Sequence, residues 1–376
     1  MTKSLTAERR KIVVLTLTEN CNLDCAYCFE KAKTKKAMSI QTAKSIIQNE
    51  FFNSDHFDEI EFDLFGGEPA LCIPLIKELV EWSAIQALQK PYIFFLETNG
   101  TLIHDDFQSW LLSHKKHLSV GLSLDGTPET HNRNRSNSYG RIDIGFFIRN
   151  YPEQSVRMTI NSNAIGNLFN DIVHLHDLGF ANVEAAFACG VDWEDELVRN
   201  QLKGELDKLC TYYLEHPAVS ECSLFEMRLP NILNNEIAIE KWCGTGTSIT
   251  SYGVDGTRYP CHTFQSNTST RFKPLVLNEI ELEKIADFSD SECSQCVIEA
   301  VCPNCYGINY VSSGDILKRD KRLCEVVKIR AIAVSYLRAR QIERNPTMFS
   351  PSETYQTILA IKAIRTQMAQ QQQDQG

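Results

Sequence analysis

Three cysteines, Cys21, Cys25 and Cys28, lie close together near the start of the chain. They follow an apolar run in the string LTENCNLDCAYCFEK and have the spacing C-x3-C-x2-C. Soft thiolate ligands select zinc, copper(I) or iron–sulfur centres, and a structural zinc site would need a fourth protein ligand that this loop lacks. On a four-iron cluster, three cysteines leave one iron open to another ligand, which suits catalysis. Three buried thiols are the simpler alternative, but the polar character of the loop disfavours it.

Seven more cysteines lie between residues 243 and 324. Four of them form two C-x2-C pairs that are separated by only five residues. A zinc ribbon needs roughly 15 to 20 residues between such pairs, so the spacing favours a compact iron–sulfur cluster over zinc. A disulfide framework is disfavoured in a reducing compartment. The seven are Cys243, Cys261, Cys293, Cys296, Cys302, Cys305 and Cys324.

Short apolar, β-branched runs alternate with helical patterns through the first half of the chain. This alternation predicts β/α units on a parallel sheet. Six units are too few for a complete eight-stranded barrel, so we expect an α/β fold with a partial (β/α)6 TIM-like barrel and chemistry at the C-terminal strand ends. The expected strands are residues 11–18, 59–65, 92–97, 117–124, 156–160 and 183–187, and the expected helices include 39–52, 73–88, 105–114 and 168–178.

Composition restricts the possible partners and location. The chain has 376 residues, of which 43% are hydrophobic and 23% charged, and its formal net charge of −10 argues against sequence-independent nucleic-acid binding. It shows neither an apolar run of roughly 18 residues nor a signal peptide, so we expect no membrane partner and a cytoplasmic location. In that compartment, fourteen cysteines favour metal binding or catalysis.

The pattern also predicts a division into domains. We expect the barrel in residues 1–220, a small cysteine-rich domain in 221–330, and a C-terminal helical segment with a glutamine-rich tail in 331–376.

Four further strings follow successive strands, and with the first cysteine spacing and Tyr27 they resemble the signature of radical S-adenosylmethionine (SAM) enzymes. Taken singly, each string is also typical of an ordinary turn. The likeness depends on their joint occurrence in order, and it extends from about residue 11 to residue 187. The strings are Gly66-Gly67-Glu68-Pro69, Thr98-Asn99-Gly100, Ser123-Leu124-Asp125-Gly126 and HNRNR, which ends at Arg135.

The resemblance implies a SAM-binding [4Fe–4S] cluster on the first three cysteines. It also implies that backbone groups of the GGEP turn hold the amino group of SAM and that Arg135 pairs with its carboxylate. Arginine suits this task because its guanidinium is a planar fork of donors. The other implied cofactor contacts are Tyr27, Phe29, Thr98, Asn99, Ser123, Asp125 and Asn161.

The second group of cysteines, from Cys243 to Cys324, is similar to the SPASM extension of peptide-modifying radical SAM enzymes, which carries two auxiliary [4Fe–4S] clusters. It departs from the commonest form at one spacing: two residues, rather than three, separate Cys302 from Cys305. By position, one cluster would use Cys293, Cys296, Cys302 and Cys324, and the other Cys243, Cys261 and Cys305. A fourth ligand for the second set is not evident: either its iron is open or a distant residue such as Cys222 fills the position.

The resemblance implies a maturase that uses a 5′-deoxyadenosyl radical to abstract hydrogen from a ribosomally made precursor peptide and form an oxidative cross-link, through a thioether, carbon–carbon or carbon–oxygen bond. The alternative is an anaerobic sulfatase-maturating type of enzyme that forms formylglycine. Those enzymes carry an acidic base directly after the cysteine of the YPC string, where this chain has His262. His262 is a candidate general base, and a surface histidine is the plainer interpretation.

A non-catalytic iron–sulfur electron carrier is the alternative from a different class, although a carrier has no need of the strings at the strand ends. For the enzyme we expect a flavodoxin or ferredoxin as electron donor. About ten residues precede the first strand. We therefore expect leader recognition to use a separate leader-peptide-binding protein, the SPASM domain or the barrel surface.

Overall fold

The computed structural model describes residues 9–86, 88, 90–233, 243–268, 291 and 293–373. Parts of the expected cysteine-rich domain, residues 234–242 and 269–290, lie outside the described residues. The chain forms two compact units, and each is assembled from segments that are distant in sequence. The first unit comprises Met1–Leu124, His131–Val156 and Gly244–Lys284, and the second comprises Asp125–Thr130, Arg157–Cys243 and Ile285–Gly376.

Strands and helices alternate along the first half of the chain. The strands are β1 (Arg10–Thr18), β2 (Glu59–Gly66), β3 (Tyr92–Thr98), β4 (Leu118–Ser123), β5 (Val156–Ile160), β6 (Val183–Phe187), β7 (Ile249–Tyr252) and β8 (Arg258–Tyr259). The α-helices are α1 (Ile40–Phe52), α2 (Ile73–Ala84), α3 (Asp105–Ser113), α4 (Pro128–Asn134), α5 (Ile144–Asn150), α6 (Leu168–Leu178), α7 (Glu196–Glu215), α8 (Tyr306–Ser313), α9 (Cys324–Arg344) and α10 (Pro351–Gln373).

The first unit is built on a mostly parallel sheet with the strand order β4-β3-β2-β1-β7-β8. Strand β1 lies between β2 and β7, with Val14 opposite both Asp63 and Ser251. Its residues Val13, Leu15 and Leu17 are fully buried, as expected for a strand that is paired on both sides and covered on both faces. The sheet is open at β8, which pairs antiparallel with β7.

Helix ends follow local capping chemistry. Ser39 caps α1 by accepting a hydrogen bond from the Thr42 N–H over 3.0 Å. Helix α6 ends at Gly179, whose φ of +105° is the left-handed conformation that glycine adopts without strain. These caps fix the points at which the chain enters the loops between strands and helices.

In the second unit, α7 packs against α9, and the buried thiol of Cys210 on α7 contacts the Ala333 carbonyl of α9 over 3.5 Å. Strands β5 and β6 and helix α6 continue the β/α alternation in this unit. Among the helices that the structure describes, none has the length and apolar content needed to cross a membrane.

The predicted α/β fold class is confirmed, and β5, β6 and α6 have the predicted bounds. Helix α2 ends at Ala84 rather than at Leu88. The sequence did not predict β7, a four-residue strand that extends the sheet beyond β1. Such a short run carries little periodicity of its own, and its strand conformation depends on pairing with β1.

Candidate active site

The loop after β1 carries Cys21, Cys25 and Cys28, and all three thiols are half-buried. Two backbone N–H groups shape the loop around them. The N–H of Leu23 lies 3.4 Å from the Cys21 Sγ, and the N–H of Cys28 donates to the Cys25 carbonyl over 3.0 Å. Three sulfur donors are therefore carried by one short turn that is partly open to solvent.

A lysine that the sequence analysis overlooked lies beside this loop. The ammonium of Lys33 donates to the Leu23 carbonyl over 3.1 Å. Burial alone would lower the pKa of Lys33, but the thiolates of the three loop cysteines outweigh burial and raise the pKa. Lys33 therefore places a positive charge next to three sulfur atoms that become anionic when they bind metal.

The GGEP turn packs directly against the cysteine loop. The N–H of Gly67 donates to the Thr18 carbonyl over 3.0 Å, and the N–H of Glu68 donates to the Asn20 carbonyl over 2.9 Å. A Cβ at Gly67 would lie 2.4 Å from the Asn20 carbonyl oxygen and 3.0 Å from the Cys21 Cβ. Only glycine permits this approach, so the turn and the first cysteine have a fixed relationship.

The carboxylate of Glu68 is buried and accepts hydrogen bonds from three donors. These are the Thr98 hydroxyl at 2.7 Å, the Asn99 N–H at 2.8 Å and the Ala70 N–H at 3.0 Å. Burial raises the pKa of Glu68, and the hydrogen bonds from Thr98, Asn99 and Ala70 oppose that rise. The network joins the end of β2 to the end of β3.

Asn22 connects the cysteine loop to the turn after β3. Its side-chain oxygen accepts from the Asn99 amide over 2.9 Å, and its nitrogen donates to the Thr101 hydroxyl over 2.8 Å. Thr101 in turn donates to the Asn99 side-chain oxygen over 2.7 Å. The TNG turn predicted to contact SAM is therefore held against the loop of three cysteines.

Arg135 is buried beside the same loop. Its guanidinium lies over the Tyr27 ring, 5.5 Å from the centroid. The Ala26 N–H donates to the Asn134 carbonyl over 2.9 Å, and the Asp24 N–H donates to the Ser136 hydroxyl over 2.8 Å. The structure thus brings the predicted carboxylate-binding arginine to the cysteines.

His262 lies between two aromatic rings of the first unit. Its ring centroid is 5.8 Å from that of Phe29 and 4.8 Å from that of Phe65. Phe29 directly follows the third cysteine of the loop, so His262 is close to the candidate site although it is distant in sequence.

Glu30 is anchored from the second half of the chain. Its buried carboxylate accepts from the Asn267 amide over 3.0 Å, and the Ala32 N–H donates to the Asn267 carbonyl over 3.1 Å. Burial raises the pKa of Glu30 to about 7, and the hydrogen bond from Asn267 opposes that rise. Asn267 therefore fixes the segment that follows the cysteine loop.

Ser123, at the end of β4, lies in the first unit and donates to Glu97 over 3.4 Å. Asp125 and Asn161 belong to the second unit and are both buried. The Asp125 carboxylate accepts from the Thr159 N–H over 3.0 Å. Asn161 begins the turn after β5.

A further buried carboxylate, Asp171 on α6, lies under the turn after Asp125. Its Oδ1 accepts from the Thr127 N–H over 2.9 Å and from the Thr127 hydroxyl over 2.7 Å. A Cβ at Gly126 would lie 2.2 Å from the Asp171 Cβ, so the turn touches this side chain directly. Burial raises the pKa of Asp171 to about 6; the hydrogen bonds from Thr127 oppose that rise, and the charge of Asp125 adds to it.

Four cysteines of the second group, all in the second unit, interact with one another electrostatically. Burial raises the pKa of Cys302 to about 11, Arg319 opposes this rise, and the other three thiolates add to it. Burial also raises the pKa of Cys324, and two of the same thiolates contribute. The four are Cys293, Cys296, Cys302 and Cys324, which are the predicted ligands of one auxiliary cluster.

The other predicted auxiliary set is divided between the units. Cys261 belongs to the first unit, where its sulfur lies 2.9 Å from the Thr263 hydroxyl, whereas Cys243 and Cys305 belong to the second. Cys222, the candidate fourth ligand, is fully buried, and its N–H donates to the Tyr213 hydroxyl oxygen over 3.0 Å. This set stays a prediction.

The chemistry of the first loop fits an iron–sulfur cluster. Its three thiols are suitable ligands, Lys33 lies beside them, and the GGEP turn is in contact with the loop. In the part of the chain that the structure describes, no three metal-ligating side chains already stand at coordination distance.

Lys33 and Asp171 are the main site residues that sequence reasoning missed. Lys33 is one of four lysines in the segment KAKTKK, residues 31–36, and no motif distinguishes it from the others. Asp171 is the fourth residue of α6, where an acidic residue is usually a favourable charge near a helix start. Only the tertiary contacts reveal either role.

The parallel sheet, the loop of three cysteines after β1 and the glycine turn after β2 define a radical SAM domain. Residues 15–144 match the Radical SAM superfamily.

A cysteine-type anaerobic sulfatase-maturating enzyme of Clostridium novyi is 26% identical over 168 residues, which cover 40% of this chain and 44% of that enzyme. The chain spans less than half the length of the first curated relatives it matches.

Two solved structures share the fold. The structure of native anSMEcpe with bound AdoMet and Cp18Cys peptide superimposes with a TM-score of 0.67 at 19% identity, covering 89% of this chain and 99% of that one. Streptococcus suis SuiB bound to precursor peptide SuiA gives a TM-score of 0.54 at 15% identity, covering 84% and 76%.

Proposed function

We propose that this protein is a radical SAM enzyme that modifies a peptide. The observation that carries the proposal is the arrangement in the first unit, where the loop of Cys21, Cys25 and Cys28 contacts the GGEP turn and lies beside Lys33. A cluster held by three thiolates keeps one iron for SAM. When bound, the cluster and SAM supply one-electron cleavage of SAM and hydrogen abstraction from the substrate.

The protein's own residues bind and orient the cofactor in this proposal. Backbone groups of the GGEP turn receive the amino group of SAM, and the buried guanidinium of Arg135 receives its carboxylate. Glu68 holds the ends of β2 and β3 in register through Thr98 and Asn99, so that the polar turn after β3 faces the cofactor.

The reaction we propose is oxidative cross-linking of a ribosomally made precursor peptide. Two auxiliary [4Fe–4S] clusters, one on the four cysteines grouped in the second unit and one on Cys243, Cys261 and Cys305, would take up the electron that the substrate loses. The fold shared with SuiB, whose structure contains a precursor peptide, supports a peptide substrate.

The proposed partners are the precursor peptide, a flavodoxin or ferredoxin as electron donor, and a separate leader-peptide-binding protein. We propose a cytoplasmic location, because a reducing compartment keeps cysteines available as cluster ligands. The domain division proposed for this activity is a radical SAM core in residues 1–220, a SPASM domain in 221–330 and a helical segment in 331–376.

Formylglycine formation is the second candidate function. The sulfatase-maturating relatives and the fold shared with anSMEcpe favour it. The position after Cys261 opposes it, because His262 stands where the resemblance places an acidic base. His262 lies between Phe29 and Phe65, within the first unit that also carries the cysteine loop.

SAM cleavage is the first test. The full chain is reconstituted anaerobically with iron and sulfide, then given dithionite and SAM, and 5′-deoxyadenosine is measured. We expect about twelve irons per chain. Cys25→Ala should lose about four of them together with SAM cleavage, whereas Cys72→Ala, at a half-buried thiol outside the motifs, should retain both. Stoichiometric zinc without sulfide, or equal 5′-deoxyadenosine from Cys25→Ala and the unaltered chain, would refute the proposal.

Mass spectrometry distinguishes the two reactions. The protein is co-expressed with candidate precursor peptides, and the mass of each peptide is compared with and without active enzyme. Loss of two hydrogens with a new bond between residues supports cross-linking. Conversion of one cysteine or serine to an aldehyde supports formylglycine formation.

A further inference from the structure

A lysine makes a direct hydrogen bond to one of the four cysteines grouped in the second unit. The ammonium of Lys321 donates to the Cys293 Sγ over 3.2 Å. Cys293 is buried, and Lys321 is half-buried and lies three residues before Cys324. The contact therefore places a charged donor on the sulfur of one proposed cluster ligand.

Two further cations come from the same stretch of chain. Lys328 lies one helical turn after Cys324 on α9 and donates to Glu325 over 2.8 Å. Burial lowers its pKa, but Glu325 and then the thiolates of Cys296 and Cys324 outweigh this effect and raise it. Lys328 therefore interacts electrostatically with the thiolates of Cys296 and Cys324.

Arg319 interacts electrostatically with Cys302, another proposed ligand of the set. Glu299 lies 3.9 Å from Arg319, and Asp320 is held by Arg322 over 2.8 Å. Lys321 is in contact with one sulfur of the set, and Lys328 and Arg319 interact electrostatically with others.

Positive charge near a cluster affects its two redox states differently. A [4Fe–4S] cluster with four thiolate ligands is already anionic, and reduction adds another negative charge. A nearby ammonium stabilises the reduced form more than the oxidised form, and hydrogen bonds to the sulfurs act in the same direction. Both effects raise the reduction potential.

We propose that Lys321 raises the reduction potential of the auxiliary cluster held by Cys293, Cys296, Cys302 and Cys324. This inference rests on the proposed function, which supplies the cluster. Lys321 acts here through the ligand sulfur and is not a catalytic residue. The cluster that it touches becomes a better electron acceptor than it would be beside a neutral side chain.

The test is an EPR-monitored redox titration of the anaerobically reconstituted full chain, with iron and sulfide counted for each variant. Lys321→Met removes the charge and the donor, Lys321→Arg keeps both, and Lys321→Gln keeps a donor without the charge. Lys318→Met is the matched control, because Lys318 is exposed on the same segment. The first cluster is recognised by the change of its signal on adding SAM.

We expect a more negative midpoint for one SAM-insensitive signal in Lys321→Met, a smaller shift in Lys321→Gln, and wild-type midpoints in Lys321→Arg and Lys318→Met. Unchanged midpoints in Lys321→Met with full iron overturn the inference. If Lys321→Met loses iron, the Lys321→Gln midpoint is used instead, and an unchanged midpoint in that variant overturns the inference. Iron loss in both variants would show that Lys321 is needed for cluster assembly, and it also overturns the inference. Absence of any SAM-sensitive signal in the unaltered chain is a different result, since it contradicts the proposed function itself.

Discussion

The carboxylate of Glu68 accepts a hydrogen bond from the hydroxyl of Thr98 over 2.7 Å, and this contact joins the GGEP turn to the end of β3. The same carboxylate accepts from the N–H groups of Asn99 and Ala70. The three donors reach both carboxylate oxygens of the buried Glu68 side chain, so residue 68 must accept hydrogen bonds at both positions.

Glu68→Gln should weaken SAM binding. Glutamine has one acceptor oxygen, and its amide nitrogen would face N–H or O–H donors, at a cost of about 1–3 kcal/mol for the groups left unpaired. We expect SAM affinity to fall about tenfold in equilibrium dialysis of the reconstituted protein. Glu78→Gln, at a helix α2 side chain that is 54% exposed, is the control and should bind normally. Wild-type affinity in Glu68→Gln would show that the network does not hold the binding turn.

Gly67→Ala should lose the first cluster. The new Cβ would lie 2.4 Å from the Asn20 carbonyl oxygen and 3.0 Å from the Cys21 Cβ, so the cysteine loop or the turn must shift. We expect about four irons fewer per chain and little 5′-deoxyadenosine. Gly140→Ala is a matched control, because a Cβ there has nothing within 4 Å. A Gly67→Ala protein with full iron and activity contradicts the close packing of this turn.

The sequence predicted those parts of the site that depend on short motifs at strand ends. Cysteine spacing and the GGEP, TNG and SLDG strings are local features, and the alternation of strands and helices orders them along one edge of a sheet. Strands such as β5 and β6 have the predicted bounds because each is a short apolar run.

Features that depend on distant parts of the chain were not predictable. Asn267 reaches Glu30 across 237 residues of sequence, and β7 becomes a strand by pairing with β1. Lys33 and Lys321 carry ordinary sequence contexts, and only the folded structure shows which lysines lie beside sulfur. Contacts between residues that are far apart in sequence cannot be read from a single sequence, because they become visible only in the folded structure.

Asp171→Asn should change how stability depends on pH. Burial raises the folded-state pKa of Asp171 to about 6, whereas the unfolded chain has a value near 4. The folded protein therefore retains a proton that the unfolded chain has lost, and the free energy of unfolding falls as pH rises through about 6. From pH 5 to 7.5 the expected loss is about 1.4 kcal/mol.

The asparagine variant cannot ionise, so its stability relative to the unaltered protein should increase by that amount over the same pH range. Urea unfolding of both full-length proteins at pH 5 and pH 7.5 measures the difference. Asp177→Asn on the same helix serves as the comparison variant. A stability difference between Asp171→Asn and the unaltered protein that is independent of pH would show that the buried carboxyl group does not titrate in this range.

Cys302→Ser should remove one auxiliary cluster and leave the first intact. The thiol of Cys302 is influenced by those of Cys293, Cys296 and Cys324, whereas the buried thiol of Cys210 contacts the Ala333 carbonyl in the helical core. We expect Cys302→Ser to bind about four irons fewer per chain, to cleave SAM under dithionite, and to form little peptide product, because the electron from the substrate has lost one acceptor. Cys210→Ser should retain its full iron, since its thiol has a packing role. The measurements are iron content, 5′-deoxyadenosine and peptide mass. Equal iron in Cys302→Ser and Cys210→Ser would exclude Cys302 as a cluster ligand. Normal peptide product from an iron-depleted Cys302→Ser would exclude that cluster from the electron path.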